Sequence, residues 1–317
     1  MARRVLSLDL GGTKLAVGVV NDAGEALAER LRLTPVQTSP AQVIQALLDM
    51  AEEAVQEVES GWSGLAGVGI SFGGPVDFAA GRTLTCHHLP GWESIPLRDE
   101  VADRLGLPAI MDNDANVAAL GEARFGAARG RRHVLYLTVS TGIGGGLVLD
   151  GRPYRGAHSQ AGEIGHIIIA PTGPPCTCGR RGCLEALASG PAIARAAREA
   201  LRAGEASSLA ALPRGELTAR DVAQAADAGD ELARGIMHAA GEALGVAIAA
   251  AANLLDPDIV VIGGGVSQAG DLLLAPAREA LAAHAVTDIA RRIEVVPGQL
   301  GPRGALLGAA ALALDML

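Results

Sequence analysis

Residues 6–19 read LSLDLGGTKLAVGV, and residues 133–150 read HVLYLTVSTGIGGGLVLD. Each passes from an apolar strand through a glycine-rich turn into a second strand. The recurrence of one such unit within a chain predicts a duplicated α/β architecture. In the first copy, strands are expected from Arg4 to Asp9, Leu15 to Asn21 and Leu27 to Leu33. Their turn signals and β-branched content make an antiparallel meander. In the second, strands from His133 to Ser140 and from Leu147 to Asp150 flank the glycine-rich stretch Thr141 to Gly146.

Working outward, apolar residues at helical spacing predict a helix from about Pro40 to Glu59. A strand from Leu65 to Ser71 ends at Gly73-Gly74-Pro75, and one from Pro108 to Met111 runs into Asp112-Asn113-Asp114. A helix from about Ala115 to Phe125 follows. Residues 157–182 read as loop. Helices are then expected from Pro191 to Arg202, Thr218 to Ala226 and Glu231 to Leu255, a strand from Asp258 to Ile262, and a last helix from Arg303 to Leu314. The boundary between two α/β domains is expected at 112/113. The first domain spans 1–112, with the terminal helix 303–317 packed back on it, and the second spans 113–302.

Composition narrows the function. Among 317 residues, 26 Lys and Arg face 35 Asp and Glu, a formal charge of −9. Non-specific nucleic-acid binding needs a basic surface, so no nucleic-acid partner is expected. No secretory leader is visible, and no run of about 18 uninterrupted apolar residues is present. The nearest, Ala239 to Leu255, is broken by Glu242 and reads as a buried helix; a cytoplasmic chain without a membrane partner is expected. Hydrophobic residues make up 49 % of the chain but aromatics only 2 %. Such a composition favours close-packed helices on sheets over aromatic-rich binding surfaces.

Five motifs carry chemistry. In Asp9-Leu-Gly11-Gly12-Thr13-Lys14 a strand delivers an acid, and two glycines let backbone N–H groups approach a phosphate. An ordinary hairpin turn is the alternative. The spacing is not that of a Walker A loop. Ser140-Thr141-Gly142 opens a second glycine turn able to serve phosphates or merely to reverse the chain. Gly263-Gly264-Gly265 follows a strand end, where a nucleoside can lie against backbone or a helix can simply begin. Asp112-Asn113-Asp114, with Asn116, sits at a strand-to-helix junction. Phosphoryl transfer to an alcohol needs a carboxylate to accept the hydroxyl proton; helix capping explains the same residues. His166 precedes Cys176, Cys178 and Cys183, a Cys3His set with the ligand count of structural zinc. Three unrelated thiols are the alternative. Glu163 and Glu185 flank this cluster and suit hydroxyl recognition. Cys86, His87 and His88 read as a loop rather than a second metal site.

Together these residues resemble the ROK family of sugar kinases and sugar-responsive repressors. The resemblance covers essentially the whole chain. It is carried by Asp-Leu-Gly-Gly-Thr-Lys at 9–14, Gly-Gly-Pro at 73–75, Pro-Gly-Trp at 90–92, Asn-Asp-Ala-Asn at 113–116 and Thr-Gly-Ile-Gly-Gly-Gly at 141–146. The most specific stretch is Gly-Glu-Ile-Gly-His at 162–166 followed by Cys-x-Cys-Gly-x-x-Gly-Cys-x-Glu at 176–185. The resemblance implies an actin-like, ribonuclease H-like fold of two domains closing on ligands. It implies Asp114 as the catalytic base, with sugar contacts from Gly74, Asn113, Asp114, Glu163, His166 and Glu185. ATP phosphates would meet Gly11, Gly12, Thr13, Lys14, Thr141 and Gly142, with adenosine near Gly264. Mg2+ would come with ATP, and Asp9 would hold it through water. The zinc ligands carry over as His166, Cys176, Cys178 and Cys183. His88 departs from the Asn common in the family before Leu-Pro-Gly-Trp, so a sugar contact from that loop is not carried over.

Within the family the chain is similar to the glucokinase group, which implies glucose as substrate, a role in glycolysis and a homodimer or higher homo-oligomer. Its cysteine region is also similar to bacterial N-acetylmannosamine kinases, and that sugar is the alternative. The family's repressor branch adds a DNA-binding domain ahead of the kinase-like body. With the phosphate loop beginning at Asp9, a non-enzymatic sugar-binding regulator is the less expected reading. An actin-like ATPase subunit is a further non-kinase alternative, and the zinc cluster speaks against it.

Overall fold

The protein is described by a computed structural model covering residues 3–35, 38–84, 91–213 and 215–316. Cys86, His87 and His88 lie outside the described residues. In chain order the elements are β1 (Arg4–Leu10), β2 (Lys14–Asn21), β3 (Ala26–Leu33), α1 (Pro40–Gln56), β4 (Val68–Phe72), β5 (Val76–Asp77), β6 (Arg82–Thr83), α2 (Leu97–Leu105), β7 (Ala109–Asn113) and α3 (Asp114–Phe125). Then follow β8 (Val134–Val139), β9 (Ile143–Leu149), β10 (Arg152–Pro153), α4 (Leu184–Ala188), α5 (Gly190–Arg202), α6 (Ala219–Asp227), α7 (Glu231–Leu255), β11 (Ile259–Gly263), α8 (Asp271–His284), β12 (Glu294–Pro297) and α9 (Gly304–Met316).

The duplication is present in the sheets. One runs β3-β2-β1-β4-β7 and the other β10-β9-β8-β11-β12, so the same topology occurs twice. In the first, β1 pairs antiparallel with β2 and parallel with β4, and β4 pairs parallel with β7. In the second, β9 and β10 are antiparallel, and β11 pairs parallel with both β8 and β12.

Alternation along β1 explains how its sheet is covered. Leu6, Leu8 and Leu10 join a core with Ile44, Leu47 and Met50 of α1. Val5 faces the other way, into a cluster with Leu307, Ala310 and Leu314 of α9. The buried Ser7 hydroxyl on that second face donates to the Leu306 carbonyl. Side chains of a strand point to opposite faces at period two, so one strand buries against two helices.

Small residues let these layers approach. A Cβ on Gly69 of β4 would lie 1.8 Å from the Ala309 carbonyl oxygen, and one on Gly308 of α9 would lie 1.8 Å from that of Val117 in α3. Only hydrogen fits at either place. This accounts for a core built with so few aromatic rings.

The chain divides into two compact units. The first comprises residues 1–132, 146–161 and 299–317, and the second comprises 133–145 and 162–298. The expected boundary at 112/113 is thereby corrected: α3 belongs with the first unit. The reason is its packing on α9, which itself lies against β1, β4 and β7. The expected start of the strand at Leu147 is also corrected. β9 begins at Ile143, and its glycines run within the strand because a Cβ on Gly145 would sit 2.5 Å from the Gly162 carbonyl oxygen.

Among the described residues one helix, α7, is long and apolar enough to cross a membrane by length and composition. It packs against α4, α5, α6 and α8, and buries Met237, Leu244 and Ile248. It also carries Arg234, His238 and Glu242 along its length. These contacts are those of a core helix.

Candidate active site

In the first unit, the β1–β2 turn brings together four of the expected phosphate-binding residues. Gly11 N–H donates to the Lys14 carbonyl at 3.0 Å, and Thr34 at the end of β3 binds the Gly11 and Thr13 carbonyls at 2.7 and 3.0 Å. Gly12, Thr13 and Lys14 are exposed on this braced loop. Asp9 stands before it, half-buried and paired in register with Ser71 of β4. Its carboxyl is pushed up from 3.8 to about 6. Burial is the main cause; the neighbouring Ser71 hydroxyl pulls the other way, and the charge of Asp114 adds to the rise. Asp9 and Asp114 therefore lie in one field.

Asn113 caps α3. Its Oδ1 accepts from Ala115 N–H at 2.9 Å and Asn116 N–H at 3.4 Å, while its Nδ2 donates to the Gly74 carbonyl at 3.0 Å. The capping expected of this motif thus falls to Asn113 and not to Asp114. Asp114 is the first residue of the helix, half-buried, with Oδ1 accepting from Ala115 N–H at 2.8 Å. A helix N-terminus favours the ionised carboxylate a base needs. Gly74 and Asn113, both expected at the sugar, are joined directly.

In the second unit, Ser140 N–H donates to the Gly142 carbonyl at 2.9 Å, closing the turn that exposes Thr141. Glu185, at the start of α4, receives Ile143 N–H at 3.0 Å and the Thr177 hydroxyl at 3.1 Å. It ties the cysteine loop to β9. Gly264 follows β11 with φ of 85°, and a Cβ there would meet the Val139 carbonyl oxygen at 2.3 Å, so this crossing requires glycine. Beside these turns lies a cavity of about 990 Å³ lined by Thr141, Arg198, Gly265, Gln268 and Leu272. Its size suits a nucleotide. Arg198 and Gln268 carry no motif in the sequence; helical folding of α5 and the turn after β11 bring them here.

His166, Cys176, Cys178 and Cys183 come together, their ligand atoms all within 4.8 Å of one another. Cys178 and Cys183 sulfurs are 3.6 Å apart, and Cys176 sulfur is 3.7 Å from His166 Nδ1. A tetrahedron with metal–sulfur bonds of about 2.3 Å has edges of about 3.8 Å, so the set fits zinc. A hydrogen bond from the Arg180 backbone is the main influence bringing the Cys178 thiol down to about 7, while burial pushes Cys183 up to about 12. The far ring nitrogen of His166, Nε2, lies 4.0 Å from Glu163. The imidazole thus has one nitrogen toward the thiols and one toward the expected sugar-binding acid.

The ROK family model matches residues 5–316. A glucokinase of Thermotoga maritima is 38 % identical over 312 residues, covering 98 % of this chain and 96 % of the relative. The structure of a ROK family glucokinase from Streptomyces griseus, in complex with glucose and AMPPNP, superposes with a TM-score of 0.83 at 33 % identity, covering 98 % and 99 % of the two chains. A xylose repressor of Caldicellulosiruptor bescii is 29 % identical, covering 99 % of this chain but 79 % of the repressor.

Proposed function

The chain belongs to the ROK family, and on that premise we propose that it transfers the γ-phosphoryl group of ATP to the C6 hydroxyl of glucose. The observation that carries the reading is Asp114, half-buried at the N-terminus of α3 and in the electrostatic field of Asp9, the acid that precedes the braced glycine loop. Its carboxylate accepts the hydroxyl proton as the sugar oxygen attacks the γ-phosphorus. A new O–P bond forms, the bond from the γ-phosphorus to the bridging oxygen breaks, and ADP leaves. Glu163, His166, Glu185 and Asn113 hold sugar hydroxyls, with the Gly74 backbone orienting Asn113. The exposed loop Gly11 to Lys14, with Thr141 and Gly142, serves the phosphates. Adenosine occupies the cavity near Gly264.

Mg2+ carried by ATP would neutralise charge on the transferring group, and Asp9 would hold its water. Zn2+ would be held by His166, Cys176, Cys178 and Cys183, which fill all four positions, and would stiffen the loop while leaving proton transfer to Asp114. Phosphorylation of glucose would serve glycolysis in the cytoplasm. A homodimer or higher homo-oligomer accords with the resemblance.

The test is ADP release with Mg-ATP across glucose, mannose, fructose, N-acetylglucosamine and N-acetylmannosamine. The highest kcat/KM is expected for glucose. Preference for N-acetylmannosamine would replace the substrate, and no turnover with any sugar would favour a sugar-binding regulator.

A further inference from the structure

Asp112 is the most deeply buried carboxylate near the proposed base, with its side chain 1 % exposed. It stands in register with Ser71, which stands in register with Asp9, so the three side chains share one face of the sheet. A buried carboxylate must be paired and hydrogen-bonded. Asp112 is both. Its Oδ1 accepts from Asn113 N–H at 2.8 Å and from Asn116 Nδ2 at 3.0 Å, and its Oδ2 accepts from Arg155 Nε at 2.6 Å.

Arg155 is itself fixed. Its guanidinium carbon lies 3.5 Å from the centre of the Phe78 ring, and its Nη1 donates to the Pro153 carbonyl at 3.3 Å. Phe78 N–H donates to the Ser159 hydroxyl at 3.3 Å, which ties the ring to the loop that carries Arg155. All these residues belong to the first unit. The hydrogen bonds of Asp112 grip the chain on both sides of Asp114, at the residue before it and in the first turn of the helix after it.

We propose that Arg155 is a positioning residue for phosphoryl transfer: through Asp112 it fixes the strand-to-helix turn that aims Asp114 at the acceptor hydroxyl. The proposal rests on Asp114 being the base. Orientation of a reacting group dominates such catalysis, and a small misplacement can lower turnover by about a hundredfold. The effect therefore belongs to kcat. The ground-state grip on glucose depends on several other groups, so KM should change little.

Three variants test this: Arg155→Met, Arg155→Lys and the double variant Asp112→Asn with Arg155→Met. Arg155→Met is expected to lower kcat about tenfold or more per folded molecule, with glucose KM within about twofold of the parent. Arg155→Lys keeps the charge and should recover part of that loss. If Arg155→Met does not fold, the double variant decides, because it leaves no lone buried charge. A loss of about fivefold or more in its kcat supports the proposal. A smaller loss, whatever happens to melting temperature, overturns it and leaves the pair a purely structural one. The parent and Asp114→Asn are run alongside. An inactive parent, or an Asp114→Asn variant of near-parent turnover, would overturn the functional reading itself rather than the role of Arg155.

Discussion

At Asp9 the folded chain tolerates a charge reluctantly. Its carboxyl is pushed up from 3.8 to about 6, chiefly because it is buried. An acid whose pKa rises on folding holds its proton more tightly in the folded state. Between about pH 4 and about pH 6 the folded chain therefore binds more protons than the unfolded one, and this group's contribution to stability falls as pH rises. Asp9→Asn removes the penalty. In the absence of nucleotide it should raise the melting temperature at pH 7.5, and the gain should vanish below about pH 4. An equal gain at both pH values would refute the cause assigned. The variant should also lose turnover, a conflict between stability and activity common at functional sites. Asp114→Asn should lower kcat about a hundredfold or more while glucose still binds, measured by steady-state kinetics beside calorimetric titration. Turnover near that of the parent would exclude it as the base.

Among the elements, the cysteine hairpin shows how ligand spacing becomes geometry. Cys176 N–H donates to the Arg180 carbonyl at 2.8 Å, and Gly179 with φ of 85° makes the reversal. Glu185 links this hairpin to β9. With zinc held as proposed, its removal with a chelator should free the hairpin and raise glucose KM about tenfold, with restoration by Zn2+. Metal-free protein of unchanged glucose affinity would uncouple the two. Much of this scale is legible in sequence. The hairpin strands and the long helices carry strong period-two or helical patterns, and the Cys3His set shows in residue types alone. β5 and β6 are two residues long each, and α2 buries only Leu97 and Val101, so neither leaves a pattern to find. The early start of β9 was hidden because glycines that read as turn serve there as close packing. Arg155 was hidden for another reason: its partner lies 43 positions away, and nothing local marks the pair.

For the whole molecule, the determining contacts are those of α9. Gly308 meets α3 and Gly69 meets α9 backbone, each at a distance that admits no side chain. Gly308→Val should destabilise the fold by about 3 kcal/mol or more, since backbone rather than a flexible side chain opposes the new atoms. Urea unfolding would measure it, and a loss under about 1 kcal/mol would show that α3 and α9 separate easily. The sequence marked the last helix but not the place of α3, because the small residues that join them are as common on surfaces as in cores.

The arrangement of α9 also bears on how the chain comes into being. The strands β1, β2 and β4 leave the ribosome before α9, which covers one face of their sheet. Vectorial synthesis thus leaves Val5 and Val20 without Leu307, Ala310 and Leu314 until those residues have been made. The nascent sheet must wait, half-clothed, for α9, and a ribosome stalled before Gly304 would hold a product that exposes Val5 and Val20.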